Sequence, residues 1–386
     1  MSRLKQIFLI FLAYYGITCL SNIYFIFGPF YEKMGASPQT IGFFLSIFYL
    51  MNCVCRPVGS AFMEKLNIRR TLIIGGVICL IASFGIEASL DNTSMLFLFR
   101  AIMGLGVSVF SVAAVAAQSI LLDEKSRGFG FALFTTGSML PLATIVPLCE
   151  WFLARGLDVF YLRAPVVISI ICLLLGFFTP DLKYAGGKSE DWGKYRELFK
   201  VKGVKLLLAT AATMALADAM TLSVASLASS RAVAASFFMA SASISAVLIR
   251  TVGFRLVSKI PRTLLAAPAA ALMGLSLLAL SFSSTSALFV LFGLTYGLGI
   301  GIGFPTDLAL VGDLLSVNFR PKASALVLLV IDAGWMLTPL IYGFISPMLG
   351  ENNTFRTFGI AVSAAALCLF LCCWLPLEKF LKTEAE

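Results

Sequence analysis

Apolar residues run along this chain in blocks of about twenty, separated by short stretches that collect nearly all the charge. Twelve such blocks fall near 7–30, 40–63, 71–90, 95–120, 128–151, 160–179, 204–228, 232–253, 263–283, 286–312, 323–348 and 354–376. A run of about 20 apolar residues in a helix spans the hydrocarbon core of a bilayer. The pattern predicts an all-α integral membrane protein of twelve transmembrane helices, numbered spans 1 to 12 below, with no room for a sizeable soluble domain. Arg3 and Lys5 precede the first block, as in a signal peptide. The block is too long for one, and no small-x-small site comes before Tyr31-Glu32-Lys33, so a retained helix is expected.

The polar stretches repeat. "RPVGSAFMEKLNIRR" at 56–70 is echoed by "RTVGFRLVSKIPR" at 250–262, with Arg56 and Arg250, Gly59 and Gly253, and Lys65 and Lys259 each 194 apart. "GLGV" at 104–107 is echoed by "GLGI" at 297–300, an offset of 193, half of the 386 residues. Several matches at an offset of 193 or 194 predict a duplicated six-helix unit, a plan used by secondary transporters with the substrate site near the midplane. The expected organisation is an N-terminal six-helix bundle at 1–180, a cytoplasmic linker at 181–203 and a C-terminal six-helix bundle at 204–386. In the linker, Ser189, Glu190 and Asp191 suit a helix start. Trp192, Tyr195, Leu198 and Phe199 then share one face, as in a helix lying on the membrane surface.

Composition and charge narrow the function. Only 13% of residues are charged, against about 25% in soluble domains. The net charge of +9 is distributed along the membrane rather than shaped for nucleic acid. Of the 29 Lys and Arg, only Lys33, Arg155, Arg163, Arg231 and Arg356 fall in one set of loops, and Arg56, Arg100 and Arg250 lie within spans. The other 21 share the opposite set. By the positive-inside rule both termini are expected in the cytoplasm, which makes this a multi-pass protein of the cytoplasmic (inner) membrane. The absence of histidine excludes histidine metal sites, Ser-His triads and histidine proton relays. All nine cysteines sit in predicted spans without a CxxC pair and read as packing residues. No metal, cofactor or enzymatic constellation is expected.

"GASPQTIGFFLSIFYLMNCVCRPVGSAFMEKLNIRRTL" resembles span 2 and the following loop of the major facilitator superfamily. That family carries Gly-x-x-x-Asp-Arg-x-Gly-Arg-Arg there. In this chain Ser60, Glu64, Lys65 and Asn67 take the glycine, aspartate, arginine and second glycine positions, and Arg69 and Arg70 supply the basic end. "RAIMGLG" at 100–106 matches the family's span-4 signature. "GLGIGIGFPT" in span 10 and "DAGWMLTPL" in span 11 are similar to the family's stretches there. The resemblance implies the major facilitator fold, with spans 1, 4, 7 and 10 lining a cavity.

Polar residues on those helices form stripes at 100° per residue. Span 1 carries Tyr14, Thr18 and Asn22; span 4 carries Arg100, Ser108, Ser111 and Gln118; span 7 carries Thr210, Asp218 and Thr221; span 10 offers Thr306 and Asp307. A charge inside a span is costly and is functional by default, which singles out Arg100. Asp218, Asp332 and Asp307 are deep enough to exchange a proton in a coupled cycle, with Asp218 ranked first. Trp335, one turn from Asp332, is expected to keep water out. Asp-x-Gly in span 11 recurs in similar transporters, so a packing role competes for Asp332. A cytoplasmic gate is expected from Arg56, Glu64, Lys65, Arg69, Asp123, Arg250, Lys259 and Asp313, whose weak ion pairs suit a switch rather than a scaffold.

These features predict a monomeric secondary transporter that moves a small organic molecule by alternating access, most simply as a proton-coupled exporter of a drug or metallophore-like metabolite. Its partners are the substrate, protons and membrane lipid. Two departures count against export: Leu140 replaces the glycine expected before Pro141 in the family's antiporter signature, and span 1 lacks an acid. The alternative is a proton-coupled importer of a small anionic metabolite held by Arg100. A passive channel or a membrane enzyme fits the pattern less well.

Overall fold

The computed structural model describes residues 3–122, 127–182, 195–253, 257 and 259–385, and among these residues the chain is helical with no strand. Eleven helical runs are long and apolar enough to cross a bilayer: Arg3–Lys33, Pro38–Arg56, Ile68–Ala88, Thr93–Leu121, Phe134–Ala154, Asp158–Phe178, Val204–Ser229, Arg262–Leu280, Ser286–Leu314, Lys322–Leu349 and Glu351–Phe380. The shorter apolar helix Ser236–Thr251 stands where span 8 is expected. The twelve-span order is kept, and span 8 ends early because Val252 and Gly253 turn out of the helix. Outward faces are apolar, as at Ile81, Phe84, Phe178 and Leu371, as lipid requires.

The chain divides into two compact units, Met1–Gly186 and Gly187–Glu386. Within the first, span 4 packs on spans 2 and 3, span 3 packs on span 6, and span 1 meets spans 4, 5 and 6. Within the second, span 10 packs on spans 8 and 9, span 9 packs on span 12, and span 7 meets spans 10, 11 and 12. The same pairing scheme thus occurs in both. It extends to single atoms. A Cβ added at Gly104 would lie 2.4 Å from the Phe48 carbonyl oxygen, and one at Gly297 would lie 2.2 Å from that of Ala242. Glycine lets the fourth helix of each unit lie directly on the backbone of the second.

The first helix of each unit also breaks alike. Span 1 runs Arg3–Asn22, tightens to a 3₁₀ turn at Ile23–Ile26 and resumes at Phe27–Lys33. Span 7 runs Val204–Ala219, tightens at Met220–Ser223 and resumes at Val224–Ser229. A hydroxyl bonded back to the preceding turn accompanies each break: Ser21 donates to Thr18 O at 2.9 Å, and Thr221 donates to Asp218 O at 2.6 Å. Such back-bonding bends helices, and a 3₁₀ stretch inside a helix marks a hinge or strain. Span 12 carries a π-helical turn at Phe370–Trp374 that carries Trp374 Nε1 to Thr210 Oγ1 at 2.9 Å.

Charge at the helix ends is locally committed. Asn67 starts span 3 at φ +72°, a backbone conformation that favours glycine, and its side chain accepts from Arg70 N. The resembled loop has glycine at this position, and asparagine is the commonest alternative there. Arg262 pairs with Asp313 at 2.6 Å, and Arg320 donates to Gly312 O and Leu315 O at the end of span 10. On the loops expected outside, Arg163 pairs with Glu87 at 3.3 Å and Arg155 lies over Trp151. Arg231 donates to the last carbonyls of span 9, Leu280, Ser281 and Ser283, and to Asn352 Oδ1. Burial lowers its pKa, and Arg356 lowers it further.

The surface helix expected in the linker is described only at Tyr195–Leu198, where Leu198 is buried and Tyr195 and Phe199 are exposed. Residues 183–194 lie outside the described residues.

Candidate functional site

In the second unit, four spans converge on the break in span 7. Asp218 lies just before the 3₁₀ turn. Trp335 Nε1 of span 11 donates to its Oδ2 at 3.1 Å, and the Tyr296 hydroxyl of span 10 reaches Oδ1 at 3.4 Å. That hydroxyl has a second acceptor, Ala217 O at 3.1 Å. One hydrogen with two acceptors can follow the charge on Asp218, turning to the carboxylate when it is ionised and to the backbone when it is not. Arg250 of span 8 lies near enough for its charge to act on Asp218. Its guanidinium, on a residue 6% exposed, donates to Ile300 O at 3.1 Å and Gly301 O at 3.4 Å and faces the Phe304 ring at 5.8 Å.

Two further acids stand on the neighbouring helices. Asp307 of span 10 is fully buried, and among the described residues neither of its oxygens has a hydrogen-bond partner. It lies one turn past Gly303, which faces Met214 of span 7 and Ala269 of span 9. Asp332 of span 11 is 6% exposed. Gly334 meets Ala215 of span 7, placing Asp332 below the level of Asp218 along the same helix pair. Thr306 and Thr210 both return their hydroxyls to their own helices, at Ile302 O and Leu206 O.

In the first unit, the break in span 1 is met by a cation instead of an acid. Arg100 is fully buried beneath three rings, with its guanidinium carbon 4.0 Å from the Tyr24 centroid, 4.2 Å from Phe48 and 5.1 Å from Phe44. Nη1 donates to Met103 Sδ at 3.2 Å, while Nε and Nη2 have no hydrogen-bond partner among the described residues. Aromatic faces take the place of a counter-ion, an arrangement worth about 2 kcal/mol or more when desolvated. Tyr24 belongs to the 3₁₀ turn itself, so the guanidinium is packed against the hinge.

Comparison with known proteins now adds to this geometry. Residues 7–339 match the family model described as "Major Facilitator Superfamily". The chain belongs to the Major Facilitator Superfamily. Three solved structures share the fold: the nucleoside transporter NupG, at 15% identity and TM-score 0.76 over 96% of this chain and 99% of that one; a D-xylose–proton symporter, at 13% and 0.76 over 96% and 98%; and the peptide transporter POT in complex with sulfate, at 15% and 0.71 over 95% and 93%. A sequence search of curated proteins gives no match. The protein is therefore a multi-pass membrane transporter of the major facilitator type.

The remaining expected site residues of this facilitator are dispersed. Tyr14 stacks on Phe134 at 4.2 Å, Thr18 donates to Gly137 O at 2.9 Å, and Asn22 donates to Ser138 O at 3.4 Å, so the polar face of span 1 is turned to span 5. Ser108 bonds Asn52 O of span 2 at 2.9 Å. Ser111 is half-buried, and Gln118, 2% exposed, leaves its Oε1 without a hydrogen-bond partner among the described residues. Thr221 stays in the span 7 hinge.

Of the expected gate, Lys65, Arg69 and Lys259 are exposed, Arg56 is half-buried, and Asp313 pairs with Arg262. Asp123 and the side chain of Glu64 lie outside the described residues. Arg250 is turned into the interior of its unit, where its side chain lies on span 10 and donates to the Ile300 and Gly301 carbonyls. Tyr296, Tyr24, Phe44 and Phe48 were not singled out by sequence. Each sits in an apolar run where an aromatic residue reads as packing.

Proposed function

We propose that this facilitator is a proton-coupled secondary transporter of a small organic molecule, working by alternating access and in the direction of export, with Asp218 as the group that loads and releases the proton. The observation that carries this reading is the surroundings of Asp218. A carboxyl at a helix hinge is held by an indole N–H, by a hydroxyl with two acceptors, and by a nearby guanidinium. Each contact changes when the carboxyl gains or loses its proton, so protonation can be converted into movement of the hinge. A D-xylose–proton symporter of the same fold is in keeping with proton coupling, though at 13% identity it speaks for the fold and not the substrate.

We place both termini and the basic edge in the cytoplasm, from the loop charge asymmetry. The cations of the other edge have specific local partners, as with Arg231, Arg155 and Arg163. The importer reading put Arg100 on a substrate carboxylate. Arg100 is fully buried under three rings, which favours a role at the span 1 hinge instead.

Ligands that bind the native state raise its melting temperature by mass action, so a thermal-shift screen of the purified protein against metabolites and drugs identifies the substrate. Proteoliposomes loaded with a pH dye should then show a change of lumenal pH when that substrate is added. Substrate movement with no accompanying proton movement would sink the coupling.

A further inference from the structure

Span 5 is broken in its middle. Its first helix runs Arg127–Ala143 with Pro141 inside it, Thr144 leaves the helical conformation, and a second helix resumes at Ile145–Ala154. Two carbonyls lose their usual donors at this break. Proline has no backbone N–H, so Gly137 O receives no helical bond from position 141. The Thr144 N–H turns to Pro141 O at 3.3 Å rather than to Leu140 O. A hydroxyl meets each of these carbonyls. Thr18 Oγ1 of span 1 donates to Gly137 O at 2.9 Å, and Thr144 Oγ1 donates to Leu140 O at 2.8 Å. The Tyr15 hydroxyl of span 1 lies 2.7 Å from Thr144 Oγ1. With the Thr144 hydrogen on Leu140 O, Tyr15 is the donor of that pair. We infer that Thr18 is a positioning residue whose hydroxyl stands in for the N–H that Pro141 lacks and so holds the kink of span 5, with Tyr15 steadying the break a turn further on through Thr144. The inference rests on the alternating-access reading of this facilitator.

The bolt can be drawn. A threonine hydroxyl has one hydrogen to donate. For Thr18 the acceptors in reach are Gly137 O on span 5 and, on its own helix, Tyr14 O at 3.0 Å and Tyr15 O at 2.9 Å. Placed on Gly137 O, the hydrogen ties span 5 to span 1. Turned back to its own helix it stays satisfied, and the Gly137 carbonyl is released. The kink can then change its angle, as helices do at proline, without stranding a donor. The two helices are in close contact here, since a Cβ added at Gly137 would lie 3.3 Å from both Phe11 and Tyr14. A change of angle in span 5 is therefore felt by span 1. The 3₁₀ turn of span 1 begins directly after Asn22, which itself donates to Ser138 O at 3.4 Å. Tyr15, Thr18 and Asn22 thus join the break in one helix to the break in the other. Serine can take the place of Thr18, because the hydroxyl carries the role. Valine has the same shape and no hydroxyl, so it cannot.

The test needs neither substrate nor gradient. Amide hydrogen exchange of the full-length protein in lipid nanodiscs, read by mass spectrometry on peptides covering 140–150, reports opening of the break. Thr18→Val should speed exchange there about fivefold, within the range for losing one neutral hydrogen bond, and Thr18→Ser should stay within about twofold of the parent. Pro141→Ala returns an N–H to Gly137 O, so adding Thr18→Val to that variant should change its rate by less than about twofold. A Thr18→Val protein that exchanges like its parent overturns the proposal. So does a Thr18→Val effect of the same size in the Pro141→Ala protein, or a Thr18→Ser protein that behaves like Thr18→Val. If Thr18→Val folds only when Pro141→Ala accompanies it, the bolt is supported, and if it folds in neither background the bolt is refuted. Absence of alternating access would appear as a lack of substrate counterflow in proteoliposomes and leave these hydrogen-exchange rates unchanged.

Discussion

Arg100 and Asp218 occupy related places in the two units, each against the 3₁₀ turn of a first helix, yet their surroundings are chemically opposite. The cation is enclosed by the rings of Tyr24, Phe44 and Phe48, and the acid is held by polar donors from Trp335 and Tyr296. A planar guanidinium stacks on rings in a way an ammonium cannot. Arg100→Lys should therefore lower the thermal midpoint of the purified protein, reflecting a loss of about 1–3 kcal/mol from weakened cation–π contact and poorer packing. An unchanged midpoint in a calorimetric or dye-based melt would show that the rings do not hold the charge. Both charged residues were legible in the sequence, because an ionisable group deep in an apolar block is costly wherever it appears. Their aromatic partners were not, since tyrosine and phenylalanine in an apolar run carry no polar signal. Arg250 was legible as a member of the repeat but not as an interior residue. Its side chain runs to the Ile300 and Gly301 carbonyls of span 10, a direction that its place in an apolar run does not reveal.

At the scale of elements, the repeated loop and the glycine steps of the sequence have a structural counterpart in the matched pairing of helices inside each unit. The offset of 193 or 194 recurs as the matched approaches of Gly104 to Phe48 and of Gly297 to Ala242. The break in span 7 was not legible, because no proline marks it and its hydroxyl back-bond uses a residue that also suits a regular helix; span 1 does carry a mark, Pro29, which withholds the usual helical N–H from the Phe25 carbonyl of the turn. The polar stripe on span 1 was visible, but its direction was not: Thr18 and Asn22 are turned to the backbone of span 5. Loop orientation is the property of these elements that sequence argues most directly. A cysteine tag at Gly186 should react with an impermeant reagent only from the cytoplasm, and one at Asn352 only from outside. The reverse pattern in sided membrane vesicles would overturn the orientation.

At the scale of the whole molecule, this membrane transporter of the Major Facilitator Superfamily places an acid, Asp218, at the break in span 7. Superfamily and fold were readable from twelve apolar blocks, a duplicated loop and two signatures. Substrate and direction were not, because they depend on the shape and polarity of a cavity that block patterns do not encode. The three acids of the second unit divide by environment. Asp218 accepts from the neutral donors Trp335 and Tyr296, while Asp307 is enclosed with no hydrogen-bond partner for either oxygen among the described residues. The most direct measurement is uptake by proteoliposomes of the substrate found by thermal shift, comparing the parent with Asp218→Asn under an imposed pH gradient and in counterflow without one. The account predicts that the variant loses gradient-driven accumulation and keeps energy-independent exchange. Accumulation retained in Asp218→Asn would contradict it and move the coupling to another group.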